Sequence, residues 1–226
     1  MQRELSFFSI GENHESYNGT SSYLMNKYGF HEVHAPQLAD ILVFNGGRDI
    51  GTIIYGEKPM ARGIPYERSQ RDDYEIGLFN EFKGKAFMFG ICRGAQLLNC
   101  LNGGSLWQHV TDHQMDHQMI DLTTGKRMDV TSTHHQMMRP NPATAEIIGV
   151  ANVAHSKYAE DSSTIMTTRP KDIKHGEDIE VVWYQNTRSL CIQGHPEYVP
   201  NSEFSDWSID LVRDKYELGV NRKATA

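Results

Sequence analysis

The apolar residues of this chain fall into short continuous runs separated by longer stretches of helical spacing. Residues 5–10 form the first run, ending at Gly11, and predict a strand. Tyr17, Leu24, Met25 and Tyr28 recur at helical intervals, and Gly29 offers a stop. Ile41-Leu42-Val43-Phe44 is apolar at every position and closes on Asn45-Gly46-Gly47. Such a run suits a strand covered on both faces of a parallel sheet. Residues 67–82 read as a helix whose apolar side carries Tyr74, Ile76, Leu78, Phe79 and Phe82. A strand over 85–91 and a helix from Ala95 to Leu101 follow. This alternation predicts an α/β fold with a mainly parallel sheet. After Gly103-Gly104 the pattern changes. Residues 107–138 are rich in His, Gln, Met and Thr and read as loops and short strands, and residues 139–142 as a turn. Residues 180–184 and 189–193 predict a hairpin, and 207–216 a closing helix before a frayed end. With no internal repeat or low-complexity linker, residues 1–226 read as one domain.

Composition narrows the function. The chain has 226 residues, 38% of them hydrophobic and 23% charged, with a formal net charge of −7. Its size suits one domain with a real core. The negative balance argues against nucleic-acid binding, which needs a basic footprint. No run is long enough to span a bilayer, and residues 1–8 do not form a signal peptide. Three widely spaced cysteines argue against a disulfide framework and for a reducing cytoplasm. Cys100 and Cys191 lie in apolar surroundings and read as packing residues.

Cys92 differs. It sits in Gly90-Ile91-Cys92-Arg93-Gly94, between a strand and a helix. A Gly-x-nucleophile-x-Gly turn at that switch is a nucleophile elbow. Its glycines allow a sharp bend, and the helix N-terminus favours a thiolate. A thiolate needs a base or cationic neighbour. Among eleven histidines, His195 stands out in Gly194-His195-Pro196-Glu197, after the apolar run ending at Ile192. That places His195 and Glu197 at a strand's C-terminal edge, where open α/β sheets bind ligands. His195 can act as base and Glu197 as its orienter. The Arg93 backbone N–H and the turn 45–49 are candidate donors to an oxyanion.

These segments resemble class I glutamine amidotransferase-like proteins, and within them the γ-glutamyl hydrolase branch, the peptidase C26 group that includes γ-glutamyl-γ-aminobutyrate hydrolases. The likeness is carried by Gly46-Gly47-Arg48-Asp49-Ile50 with Tyr55-Gly56-Glu57, by Arg71-Asp72-Asp73-Tyr74-Glu75, and by the elbow running on to Gly103-Gly104-Ser105-Leu106. Thr133-His134-His135-Gln136 and Gly194-His195-Pro196-Glu197 complete it. The resemblance implies a flavodoxin-like three-layer fold with Cys92, His195 and Glu197 as catalytic triad. It implies oxyanion donors at Gly47 and Arg93, and Gln96, His135 and Gln136 against the α-amino acid end of a glutamyl substrate. Cleavage of a γ-glutamyl amide through a thioester on Cys92 follows, with no cofactor. The chain departs from the family pattern at Gly51-Thr52, at Ile192-Gln193-Gly194, and over residues 151–175, where a clear counterpart of the family's Asp-Gly hairpin is lacking.

Three other readings compete. A glutaminase subunit would deliver ammonia to a separate synthase or amide ligase. A catalytically silent binding protein could keep the fold, and a homodimer is compatible with either. The third is metal binding. His113 and His117 have the i, i+4 spacing of helical zinc ligands, and His134-His135 lie nearby in sequence. Against it, the stretch lacks a His-Glu-x-x-His arrangement, and adjacent histidines do not readily point at one ion from regular structure. The expectation is no metal.

Overall fold

The computed structural model describes residues 4–11, 17–60, 63–151, 158–161, 164–166 and 178–223. In chain order the first half comprises β1 (Ser6–Ile10), α1 (Tyr17–Lys27), β2 (His31–Glu32), β3 (Ile41–Phe44), α2 (Gln70–Phe82), β4 (Phe87–Ile91) and α3 (Arg93–Leu101). The second comprises β5 (Ser105–Trp107), β6 (His117–Asp121), β7 (Arg127–Val130), β8 (Met137–Arg139), β9 (Glu146–Ala151), β10 (Tyr158–Asp161), β11 (Thr164–Met166), β12 (Ile179–Tyr184), β13 (Ser189–Ile192) and α4 (Glu203–Lys223).

Nine strands form one sheet in the order β2-β1-β3-β4-β13-β12-β9-β6-β7. From β2 to β13 every pairing is parallel; beyond β13 the sheet continues antiparallel. The parallel part holds the elbow strand β4 between β3 and β13. The wholly apolar run 41–44 foresaw this for β3, and β4 and β13 are likewise buried at every residue. Their side chains alternate between two cores, as period-2 geometry requires. Ile41, Val43, Phe87, Phe89, Leu190 and Ile192 meet Leu24 and Met25 of α1 and Phe204, Ile209 and Val212 of α4. Leu42, Phe44, Met88 and Cys191 meet Leu78 and Phe79 of α2 and Leu97 and Leu98 of α3. Helices thus cover both faces, giving the flavodoxin-like three-layer α/β fold. Each fully buried apolar side chain contributes about 1.5–3 kcal/mol.

Some boundaries differ from the sequence reading, for local reasons. α2 starts at Gln70, not 67, because Ser69 caps it: Ser69 Oγ accepts the Asp72 N–H at 3.0 Å, and an Asp72 carboxylate oxygen accepts the Ser69 N–H at 2.8 Å. α4 starts at Glu203, ahead of Trp207, with Ser202 Oγ accepting the Ser205 N–H at 3.1 Å. β9 escaped the pattern because its first two residues are exposed and its last four buried, so it neither alternates nor forms a long apolar run. Most of residues 151–175, which lack a clear counterpart of the family's Asp-Gly hairpin in sequence, lie outside the described residues. No helix among the described residues is long and apolar enough to cross a membrane.

Candidate active site

The elbow forms where β4 meets α3. Cys92, the N-cap of α3, has φ 50° and ψ −111°, a positive φ that non-glycine residues rarely adopt. Local packing enforces it. A Cβ on Gly90 would lie 2.7 Å from the Ala95 nitrogen, and one on Gly94 would collide with the Phe44 carbonyl of the neighbouring strand. The chain therefore folds back tightly enough to raise the Cys92 side chain above the sheet edge, at the N-terminus of α3.

β13 delivers the partner. His195 and Glu197 follow its last residue, and His195 Nδ1 lies 2.7 Å from Glu197 Oε1. Both side chains are buried. Cys92 and His195 meet at Gly46: a Cβ there would sit 3.1 Å from His195 Cε1 and 3.8 Å from Cys92 Cβ. Burial alone would lower the His195 pKa. The ring's electrostatic interaction and hydrogen bond with Cys92, and those with Glu197, outweigh it and push His195 up to about 10. The ring is also held on other sides. Thr133 Oγ1 lies 3.0 Å from Nε2, Tyr198 stacks on the ring at a centroid distance of 4.2 Å, and the His195 N–H donates to the Thr131 carbonyl at 2.8 Å.

A pocket of about 190 Å³ opens over these groups, and Gly47, Cys92, Gln96, His135, Gln136 and His195 line it. Gln96 Nε2 donates to the Gln136 carbonyl at 3.0 Å, tying α3 to the opposite wall. His135 Nε2 lies 3.0 Å from Asp49 Oδ1, and this hydrogen bond raises the His135 pKa against partial burial. The structure thus brings Cys92, His195, Gly47, Gln96, His135 and Gln136 to one cavity, with Glu197 directly behind His195 and Arg93 next to Cys92. Cys100 and Cys191 are buried beneath it, where burial pushes both thiols up.

The Arg93 side chain points away from the pocket's chemistry. It pairs with Asp72 and Glu75 in the interior, and Arg71 Nε reaches Glu75 Oε1 at 2.9 Å. Arg71 Nη2 then donates to the carbonyls of Asn45 and Gly46 at 2.9 and 3.0 Å. This network clamps the elbow helix to the glycine loop that faces it. In the sequence, Arg71-Asp72-Asp73-Tyr74-Glu75 stands only as a mark of resemblance. Two acids and an arginine at i, i+1 and i+4 on the helix before the elbow were the available signal of a buried clamp. Tyr198 carried none, and Thr133 only its place in a segment of resemblance, because their contacts with His195 depend on where two loops meet.

The histidines of the segment after β5 also come together, but not on a helix. His113 lies in the β5–β6 loop and His117 opens β6. Both face Glu180 of β12, and His134 joins them while His135 turns away to Asp49.

A solved glutamine amidotransferase from Thermotoga maritima shares the fold, with a TM-score of 0.56 at 15% identity over 96% of this chain and 85% of that one. In sequence, the glutamine amidotransferase-like protein YvdE of Lactococcus lactis is 28% identical over 177 residues, covering 76% of this chain and 72% of its own. NtpR of Enterococcus hirae is 40% identical over 182 residues, 74% of this chain and 70% of its own. Fold, elbow and relatives together define a glutamine-amidotransferase-type hydrolase of C–N amide bonds. The family model for Peptidase C26 matches residues 31–197. The chain belongs to that family.

Proposed function

We propose that this protein hydrolyses γ-glutamyl amide bonds, of glutamine or of γ-glutamyl amines, through a γ-glutamyl thioester on Cys92. The observation that carries the reading is the meeting of a positive-φ Cys92 with the His195–Glu197 pair at the Gly46 turn. Cys92 sulfur attacks the γ-carbonyl carbon and the carbonyl π electrons move to oxygen. The backbone N–H groups of Gly47 and Arg93 receive that oxyanion. As the C–N bond breaks, His195 gives its proton to the departing nitrogen, and ammonia or an amine leaves. His195 then takes a proton from water, which attacks the thioester and releases glutamate and the thiolate. Glu197 keeps the imidazole oriented and supports its positive charge throughout.

Gln96, His135 and Gln136 are proposed to receive the α-amino and α-carboxylate groups. The pocket, at about 190 Å³, falls below the roughly 300 Å³ where drug-sized sites begin. It suits one glutamyl group, with the leaving amine outside. The test is a screen of glutamine against γ-glutamyl amines, reading out glutamate and released amine, with mass analysis of acid-quenched enzyme. A γ-glutamyl adduct on Cys92 is expected. Turnover by a Cys92→Ala variant at the wild-type rate would rule the mechanism out.

A further inference from the structure

The mechanism uses one of the chain's histidine groupings and leaves another. At the pocket wall, which His134 itself lines, His113, His117, His134 and Glu180 place one donor atom each within 4.8 Å of one another. Glu180 Oε1 is the centre: it lies 3.2 Å from His113 Nδ1, 3.0 Å from His117 Nε2 and 3.7 Å from His134 Nε2. Metal–ligand bonds of about 2.0–2.1 Å in a tetrahedron separate the donors by roughly 3.4 Å. The three observed separations bracket that value.

Protons decide what the cluster is for. Each ring uses its other nitrogen on an oxygen acceptor. His113 Nε2 lies 3.0 Å from Asp178 Oδ2, His117 Nδ1 3.1 Å from the Met115 carbonyl, and His134 Nδ1 2.9 Å from the Gln136 carbonyl. Carbonyls and carboxylates only accept, so each outer nitrogen carries the N–H. A neutral imidazole then turns a lone pair inward. Three lone pairs and a carboxylate converge on one buried point, and they repel unless a cation sits among them. The alternative is to protonate the rings, and one proton shared with Glu180 would still leave two lone pairs facing inward, while more would pack imidazolium rings together, with centroids of 4.7 Å for His113–His117 and 4.9 Å for His113–His134. Burying more than one positive ring against one carboxylate is costly. Glu180 and His134 are 1% and 3% exposed, and neither Glu180 Oε2 nor His134 Nε2 makes a hydrogen bond. Outer N–H groups held by a carboxylate or backbone carbonyl are the usual second layer around metal-bound histidines, fixing the tautomer that presents a lone pair.

We propose that His113, His117, His134 and Glu180 form a structural site for a divalent first-row transition metal, with zinc the ion whose coordination fits best. Three imidazoles and a carboxylate suit such ions far better than magnesium or calcium, which prefer all-oxygen shells. Four protein donors fill a tetrahedron, so the site holds structure and leaves no position for substrate. It would pin together the β5–β6 loop, the first residue of β6, the segment between β7 and β8, and β12. That segment carries Thr133, which touches His195, and His135 and Gln136, which line the pocket. The Gln136 carbonyl accepts from both His134 and Gln96.

The test uses the full chain made without a polyhistidine tag. Elemental analysis should find about one equivalent of a first-row metal per chain, as one filled site requires. Removing it with a chelator should lower the melting temperature, and Zn²⁺ but not Mg²⁺ should restore it. His117→Gln alters the most exposed ligand and is the variant expected to fold; it should lose the metal and the Zn²⁺ response. Asp178→Asn, behind His113, should weaken Zn²⁺ binding about 10–100-fold in chelator competition. The proposal is overturned if the isolated protein holds no first-row metal and the chelator-treated protein takes up no Zn²⁺. It is equally overturned if His117→Gln binds Zn²⁺ as the parent does. These readouts do not involve amide hydrolysis, so they stand or fall apart from the proposed reaction.

Discussion

At the scale of single residues, three cysteines separate by surroundings. Cys92 and Cys100 differ little in exposure, at 8% and 6%, yet only Cys92 lines the pocket and meets an imidazole. A glutamine-like chloroketone should therefore alkylate Cys92 rapidly and spare Cys100 and Cys191, which peptide mapping would show. Labelling of Cys100 at a comparable rate would mean the elbow does not activate Cys92. The raised His195 pKa carries a pH consequence. His195 is positive below about 10 in the folded chain and titrates near 6.5 when unfolded. The folded state thus binds the proton more tightly. That stabilisation is fully present below about pH 6.5 and is lost as the pH rises towards 10. Urea midpoints should decline over this window in the parent, and His195→Asn should flatten this part of the decline.

At the scale of elements, the capping box of α2 does two jobs. Asp72 closes the helix with one carboxylate oxygen and pairs with Arg93 through the other. Glu75 joins both Arg71 and Arg93 and is fully buried. Replacing Glu75 by Gln leaves two interior guanidinium groups short of negative charge. The cost should be about 3–5 kcal/mol, against about 0.5–2 kcal/mol for Ser69→Ala, which removes only the cap. Denaturant unfolding of the two variants would check the order. Glu75→Gln should also lower kcat, because Arg71 holds the Asn45 and Gly46 carbonyls of the loop proposed to receive the oxyanion. If hydrolysis were unchanged in a folded Glu75→Gln protein, the clamp would have no part in catalysis.

At the scale of the whole molecule, the parallel half of the sheet supplies the proposed nucleophile and base, and the antiparallel extension supplies the far wall. Cys92 comes from β4 and His195 from the adjacent β13, while Thr133 to Gln136 arrive from the β7–β8 connection. The small pocket predicts substrate discrimination in the glutamyl group rather than in the leaving amine. A β-aspartyl amide, one methylene shorter, should lose roughly 10–200-fold in kcat/KM. Exchange of one γ-glutamyl amine for another should cost less. Steady-state kinetics on such a series would reveal the opposite ranking if the pocket instead gripped the amine.

What the chain determined by itself was local: continuous apolar runs for β3, β4 and β13, the flanking glycines of Cys92, and the His-Pro-Glu after a strand. Each is a short-range pattern whose physical cause lies within a few residues. The pairing of Cys92 with His195, about a hundred residues apart, was legible from the elbow and from a His-Pro-Glu at a strand's C-terminal edge; that β4 lies directly beside β13 was not. Tertiary structure decided the rest. Spacing suggested a helical His113–His117 pair beside His134-His135; the sheet instead took His113, His117 and His134, discarded His135, and added Glu180 from a strand some forty-five residues on. Glu180 opens its apolar run as an ordinary charged residue. Only burial, with three imidazoles aimed at the same oxygen, distinguishes it, and burial is a property of the folded chain.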